Sequence, residues 1–166
     1  MSQLTDSLMS GIYTHEELNR RIALARAVCE QILFSKAGLA IEDRIANYFK
    51  TYEHEAEDEA WIEKFLKQPQ THESLFGTIG ELEHIEKKSP TIVLHIAVIL
   101  PALEISTIGN WVKKNIDEHA LIRFSYNPAL AGGCAISLNG ISHDFSVANK
   151  LDQQQEKILN SIRTIV

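Results

Sequence analysis

The stretch from Asn127 to Leu151, NPALAGGCAISLNGISHDFSVANKL, constrains this chain more than any other. Pro128 fixes its own backbone and pushes Asn127 towards extended geometry, so a preceding strand ends there. Gly132 and Gly133 permit positive φ or a close backbone approach, which suits a tight re-entry into a strand. Cys134 to Leu138 reads as a short strand and Ile141 to Phe145 as its partner. Between them, Asn139-Gly140 is the preferred pair for a type I′ turn, whose twist matches that of the flanking strands. Asp144 or Ser146 can cap a following helix, its side-chain oxygen accepting from an orphan backbone N–H. A turn, a glycine pair, a hairpin and a helix start therefore follow one another without a break.

At 166 residues the chain can form one domain or two small ones, with a sizeable core. Hydrophobic residues make up 45% and charged residues 23%, an ordinary globular balance. The net charge of −6 and the lack of a basic, aromatic-rich patch argue against a nucleic-acid or anionic-membrane binder. Cys29 and Cys134 make no disulfide framework, fit a reducing compartment, and read as small buried apolar residues. The amino terminus shows no basic region followed by an apolar core, so no signal peptide is expected. The most apolar run, Ile92 to Leu103, contains His95 and Pro101 and falls short of the roughly twenty residues of a spanning helix. Direct membrane insertion is not expected.

The first half carries helical spacing. Thr14-His15-Glu16-Glu17 is a capping box, with Thr14 as N-cap and Glu17 reaching back. Leu18, Ile22, Ala25, Cys29, Ile32 and Leu33 follow on one face, closed by Gly38. Ile41, Ile45, Tyr48, Phe49 and Tyr52 give a second stripe; Trp61, Phe65 and Leu66 a third, stopping at Pro69; Leu75, Ile79, Leu82 and Ile85 or Glu86 a fourth. A short amphipathic turn near Leu4 and Leu8 precedes them. Residues 1–88 are expected to form an antiparallel helical bundle. At Ser89-Pro90-Thr91 the period changes to extended. Ile92 to Leu100 reads as a strand buried on both faces, Glu104 to Ile116 as a helix with Ile105, Ile108, Val112 and Ile116 on one face, and Leu121 to Tyr126 as a strand. If they share a sheet, the two strands are parallel. The last helix, from about Val147, carries Leu151, Ile158, Ile162 and Ile165. The expected fold is a two-part α+β chain: the bundle, then a small β-α-β-β-β-α domain over 92–166.

The sequence carries none of the common catalytic patterns. There is no phosphate-binding loop, no glycine-rich dinucleotide turn after a strand and no serine elbow. His54-Glu55 lacks the second histidine of a zinc-protease helix, since Asp58 stands in its place. The acidic run Glu53 to Ala60 reads as a solvated helix start, and the seven histidines show no ligand spacing. His95 reads as a core or interface residue. Cys134 and His143 come close in a hairpin for structural reasons alone, and a small thiol enzyme using Cys134 is the least favoured reading. No catalytic, cofactor or metal site is expected.

The second half resembles the carboxy-terminal part of the F-type ATP synthase delta subunit, whose mitochondrial counterpart is the oligomycin-sensitivity-conferring protein. That family runs strand, helix, strand, then an acidic or Asn residue with Pro-x-Leu-x-Gly-Gly, a hairpin, an Asp-x-Ser and a closing amphipathic helix. Asn127, Pro128, Leu130, Gly132 and Gly133 occupy the first motif, and Asp144, Ser146, Val147 and Leu151 the second. The resemblance covers roughly Ile92 to Leu159. The chain has Ala131 where the family usually has Ile, and four or five helices are expected in a half where the family has six.

What the resemblance implies is a non-catalytic stator subunit in the peripheral stalk, acting in ATP synthesis and proton transport. The helical half would bind amino-terminal helices of the alpha subunits, and the carboxy-terminal half the carboxy-terminal helices of the b subunits. The protein would lie in the cytoplasm, peripheral to the inner (plasma) membrane through the complex. Candidate grip residues are Ile158, Ile162 and Ile165 on the last helix, and Ile22, Ile45 and Phe49 in the bundle. The alternative is a stand-alone helical adaptor or regulatory protein-binding module.

Overall fold

The structure, a computed structural model, describes residues 3–34, 41–51, 56–66 and 72–165. Among these are seven α-helices and a four-stranded mixed sheet. The chain divides into two compact units, Met1–Ser89 and Pro90–Val166.

The first unit contains α1 (Gln3–Met9), α2 (His15–Phe34), α3 (Ile41–Thr51), α4 (Ala56–Leu66) and α5 (His72–Lys88). Helix α2 packs against α3, α4 and α5, and α1 against α4 and α5. The start of α2 shows why it begins where it does. Glu17 donates its backbone N–H to Thr14 Oγ1 at 3.0 Å, as an N-cap requires. The carboxylate of Glu17 reaches back to the N–H of Tyr13 at 3.1 Å, one residue before the N–H a standard capping box would use. The expected stripe is buried along α2 at Leu18, Ile22, Ala25 and Cys29, together with Val28. Gly38 and the side chains of Ile32 and Leu33 lie outside the described residues.

Helix α4 buries Trp61, Ile62 and Phe65. The rings of Trp61 and Phe65 stack with centroids 5.7 Å apart, and the indole N–H donates to the carbonyl of Leu8 at 3.1 Å. That bond ties α4 to α1 while leaving no indole donor unmet. Burial at α5 falls on Ile79, Leu82 and Ile85, as its spacing predicts, while the side chain of Leu75 lies outside the described residues.

The acidic start of α4 departs from the expected solvated face. Glu57 and Glu59 are exposed, but Asp58 is buried. Its Oδ1 lies 3.3 Å from Arg20 Nη2 and 3.8 Å from Arg21 Nε. Arg21, also buried, places Nη2 at 3.0 Å from Glu17 Oε1, with its guanidinium 5.8 Å from the centre of the Trp61 ring. Two arginines from α2 thus compensate a carboxylate largely withdrawn from water. A second long-range contact joins the buried His15 of α2 to Glu86 of α5, Nδ1 to Oε1 at 3.0 Å.

The second unit runs β1 (Thr91–Ile96), α6 (Ala102–Asn115), β2 (Leu121–Tyr126), a one-turn 3-10 helix at Pro128–Leu130, β3 (Cys134–Leu138), β4 (Ile141–Asp144) and α7 (Val147–Ile165). The strand order is β2-β1-β3-β4. β1 and β2 are parallel, from Thr91 opposite Leu121 to Ile96 opposite Tyr126. β1 and β3 are antiparallel, as are β3 and β4. Ile92, Leu94 and Ile96 line one face and pack with Ile122, Val112 and Ala120. Ile108, Phe124, Cys134, Ile136 and Leu138 close around them.

Three boundaries differ from the sequence reading. β1 stops at Ile96 and does not reach Leu100, because both neighbouring strands run out there: Tyr126 and Cys134 are its last partners. Pro101 then supplies no N–H for a ladder and instead sets the start of α6, its carbonyl accepting from Glu104 and Ile105. β1 is also not buried on both faces; it alternates, with its odd-numbered residues only half-buried. α6 starts at Ala102 and ends at Asn115, so Ile116 is its C-cap and is exposed. β4 ends at Asp144, before Phe145.

Candidate functional site

The segment from Asn127 to Leu151 folds as a set of interlocked turns. Asn127 donates its N–H to Ile96 O at 2.8 Å, the last bond of the β1–β2 edge. Its side-chain oxygen accepts from Ala129 N at 3.1 Å, an Asx turn that launches the 3-10 turn with Pro128 in its first position. Leu130 points inward and is buried. Ala131 then takes a left-handed φ of 55° and donates to Pro128 O.

Gly132 and Gly133 bring the chain against the start of α7. The carbonyl of Gly132 accepts from Val147 N at 3.0 Å, and that of Cys134 from Phe145 N at 2.9 Å. Gly133 has φ 73°, and a Cβ there would sit 2.6 Å from Phe145 O. Only glycine fits, on both counts. At the far end of the hairpin Asn139 (φ 51°) and Gly140 (φ 80°) are both left-handed, as a type I′ turn requires.

Asp144 and Ser146 form the cap of α7. Ser146 is 1% exposed. Its N–H donates to Asp144 Oδ1 at 2.8 Å, and its Oγ accepts from Asn149 N at 3.1 Å. Asn149 Nδ2 in turn donates to the Asp144 carbonyl at 3.0 Å. The hydroxyl of Ser146, and after it the Ser146 N–H, hold the Asp144 carboxyl below its ordinary value. Sequence alone left the cap open between Asp144 and Ser146; the two divide the work, Ser146 capping the helix and Asp144 fixing Ser146.

The structure therefore brings Gly132 and Gly133 against the 144–147 turn, and the 3-10 turn carrying Pro128 and Leu130 packs on α7. Leu151 stands apart, 54% exposed. Of the candidate grip residues, Ile22 and Phe49 are each 7% exposed and belong to the interior. The side chains of Ile45, Ile158, Ile162 and Ile165 lie outside the described ones, although their backbone is helical.

Cys134 and His143 share a face but are not directly opposed: His143 faces Ile136, and Cys134 follows the pairing of Phe145. The His143 ring instead lies over Phe145, centroids 6.2 Å apart. Cys29 is a buried thiol pushed up to about 11, chiefly by burial and secondarily by Glu30. Among the described residues no three His, Cys, Asp or Glu side chains gather where they could hold a metal ion. No described helix is long and apolar enough to cross a membrane.

Sequence reasoning missed a set of exposed apolar residues on the second unit. Val98 is 62% exposed, Ile99 86%, Leu103 78% and Trp111 60%. The signal was present: Leu103, Thr107 and Trp111 recur every fourth residue along α6, and the 98–100 tail of the apolar run lies beyond its last strand partners.

No known protein family matches this chain, and no curated protein matches it.

Proposed function

We propose that the chain is a delta-type stator subunit of an F-type proton-translocating ATP synthase, linking the catalytic head to the b subunits and resisting rotor torque. The observation that carries this reading is the paired motif of Asn127, Pro128, Leu130, Gly132 and Gly133 with Asp144, Ser146 and Leu151, preceded by strand, helix and strand. On this reading the helices of the first unit form an antiparallel bundle that binds alpha-subunit amino-terminal helices. The β-α-β-β-β-α unit takes the carboxy-terminal helices of the b subunits. The work is mechanical. It needs apolar surfaces that accept amphipathic helices and no tuned acid or base, and exposed Val98, Ile99, Leu103, Trp111 and Leu151 offer such surface. The protein would be non-catalytic, cofactor-free and peripheral to the membrane through its partners.

The test is a pull-down of the full chain with an alpha-subunit amino-terminal peptide and a b-subunit carboxy-terminal helix. Binding to both is expected; binding to neither would sink the proposal. A helical adaptor is the second reading, favoured by one observation: the first unit holds five described helices where the family has six. Retention of the b-subunit helix alone, with no affinity for the alpha peptide, would favour that reading.

A further inference from the structure

Eight asparagines occur in the chain, and one is followed by glycine. Its surroundings separate it from others with described contacts. Asn127 spends its side-chain oxygen on Ala129 N and precedes a proline, which has no N–H. Asn115 donates to Trp111 O, and Asn149 both donates to Asp144 O and accepts from Gln153. Asn139 is exposed at the hairpin tip, and among the described residues nothing holds its side-chain amide. Gly140 is exposed as well, and a Cβ placed on it would meet nothing within 4 Å. The backbone nitrogen after Asn139 is therefore shielded neither by its own side chain nor by a neighbour.

We propose that the Asn139–Gly140 turn is a site of spontaneous covalent modification, at which the asparagine deamidates through a cyclic imide. The backbone nitrogen of Gly140 attacks Cγ of Asn139 and forms a C–N bond. The side-chain nitrogen leaves as ammonia, carrying away the proton of the Gly140 N–H. Water then adds to either carbonyl of the five-membered ring and opens it to aspartate or to isoaspartate. Nothing is oxidised or reduced. Asparagine is among the thermolabile side chains for this reason, and glycine as successor offers the least hindrance to ring closure.

The turn also sets when this happens. With φ at 51°, Asn139 is held in the left-handed turn, and ring closure requires its backbone to leave that geometry. β4 is an edge strand whose four residues are all exposed, so the tip opens locally without the rest of the unit. The isoaspartyl product routes the chain through the side-chain carbon and adds a backbone atom between Leu138 and Ile141. A two-residue turn no longer fits, and the Leu138–Ile141 pair nearest the tip is lost. Either product adds a negative charge to the tip.

The experiment ages the full chain at physiological temperature and mildly alkaline pH, with peptide mapping by mass and enzymatic labelling of isoaspartate. The expected result is a gain of one mass unit, with isoaspartate label, on the peptide carrying Asn139, severalfold above that on every other asparagine peptide. The Asn139→Gln variant should lose the gain. The same chain unfolded in urea is run in parallel. If the unfolded chain gains and the folded chain does not over the same period, the turn protects the site and the proposal is overturned. Equal gains across all asparagine peptides, or a persistent gain in Asn139→Gln, overturn it too.

Discussion

The two units hold their buried polar groups over different reaches. In the helical unit, Asp58 of α4 is compensated by Arg20 and Arg21 of α2, and His15 of α2 meets Glu86 of α5. In the α/β unit the corresponding work is done within one turn: Asp144 holds Ser146, and Ser146 holds Asn149. The first arrangement depends on helices already packed. The second can form as soon as its own few residues are in place. A partner lost from the first strands a charge without water, whereas one lost from the second leaves a helix end that water can partly satisfy.

Substitutions at the two kinds of contact should differ in cost. The largest effect is expected at Gly133, where local reach meets a backbone that cannot yield. Gly133→Ala forces a left-handed alanine and drives Cβ towards Phe145 O, now 2.6 Å away; a loss of about 3 kcal/mol should appear in the urea midpoint. A loss well below this would show that the Gly132–Gly133 turn can shift away from Phe145 at little cost. Asp58→Ala should cost about 2 to 3 kcal/mol, because Arg21 keeps Glu17 at 3.0 Å but loses its buried partner. Replacing Arg21 by Met in the same background should restore part of the loss, since no buried guanidinium is then left without Asp58, although Glu17 gives up its own ion pair. Ser146→Ala removes both the cap and the hydroxyl that steadies the Asp144 carboxylate, and should cost about 1 kcal/mol by thermal or urea unfolding.

The smallest expected effect is one of pH. The Asp144 carboxyl sits below its ordinary value in the folded chain because the Ser146 hydroxyl and N–H stabilise its charged form. Its contribution is fully present above the unfolded value of about 3.9 and is lost as pH falls through the lower folded value. The Tm difference between the wild type and Asp144→Asn should therefore stay level near neutral pH and close under acid conditions. A difference that grows on acidification would show that this carboxylate is not stabilised by the cap.

The same division of reach decides what the sequence could say. Pro128, the glycine pair, Asn139-Gly140 and the Asp-x-Ser cap are local chemistry, and each is where its residue types place it. The parallel pairing of β1 with β2 was expected from the β-α-β order on condition that the two share a sheet, and they do. Asp58 gave no comparable sign. A carboxylate among acidic neighbours at a helix start reads as solvated, and only the packing of α2 beside it reveals burial. The end of β1 was hidden for a related reason, since the apolar run continues to Leu100 while its neighbours stop opposite Ile96. In the candidate site, the motif residues were legible from turn chemistry. The exposed pair Leu103 and Trp111 on α6 carried a spacing signal too, but the row of Ile105, Ile108 and Val112 on the same helix drew the reading to the other face.

The strand order also fixes a sequence of events in time. The β3–β4 hairpin is local, and such a hairpin closes in roughly 1 to 10 μs. Yet β3 lies between β4 and β1, and β1 is also the strand on which β2 must dock after the α6 crossover. A two-stranded hairpin is marginal by itself in water, so the tip forms and dissolves repeatedly until β1 is in place. The slow step of folding in this unit is then the crossover that pairs β1 with β2. Substitutions that weaken Ile92, Leu94 or Ile122 should slow refolding, whereas those in β4 should chiefly speed unfolding.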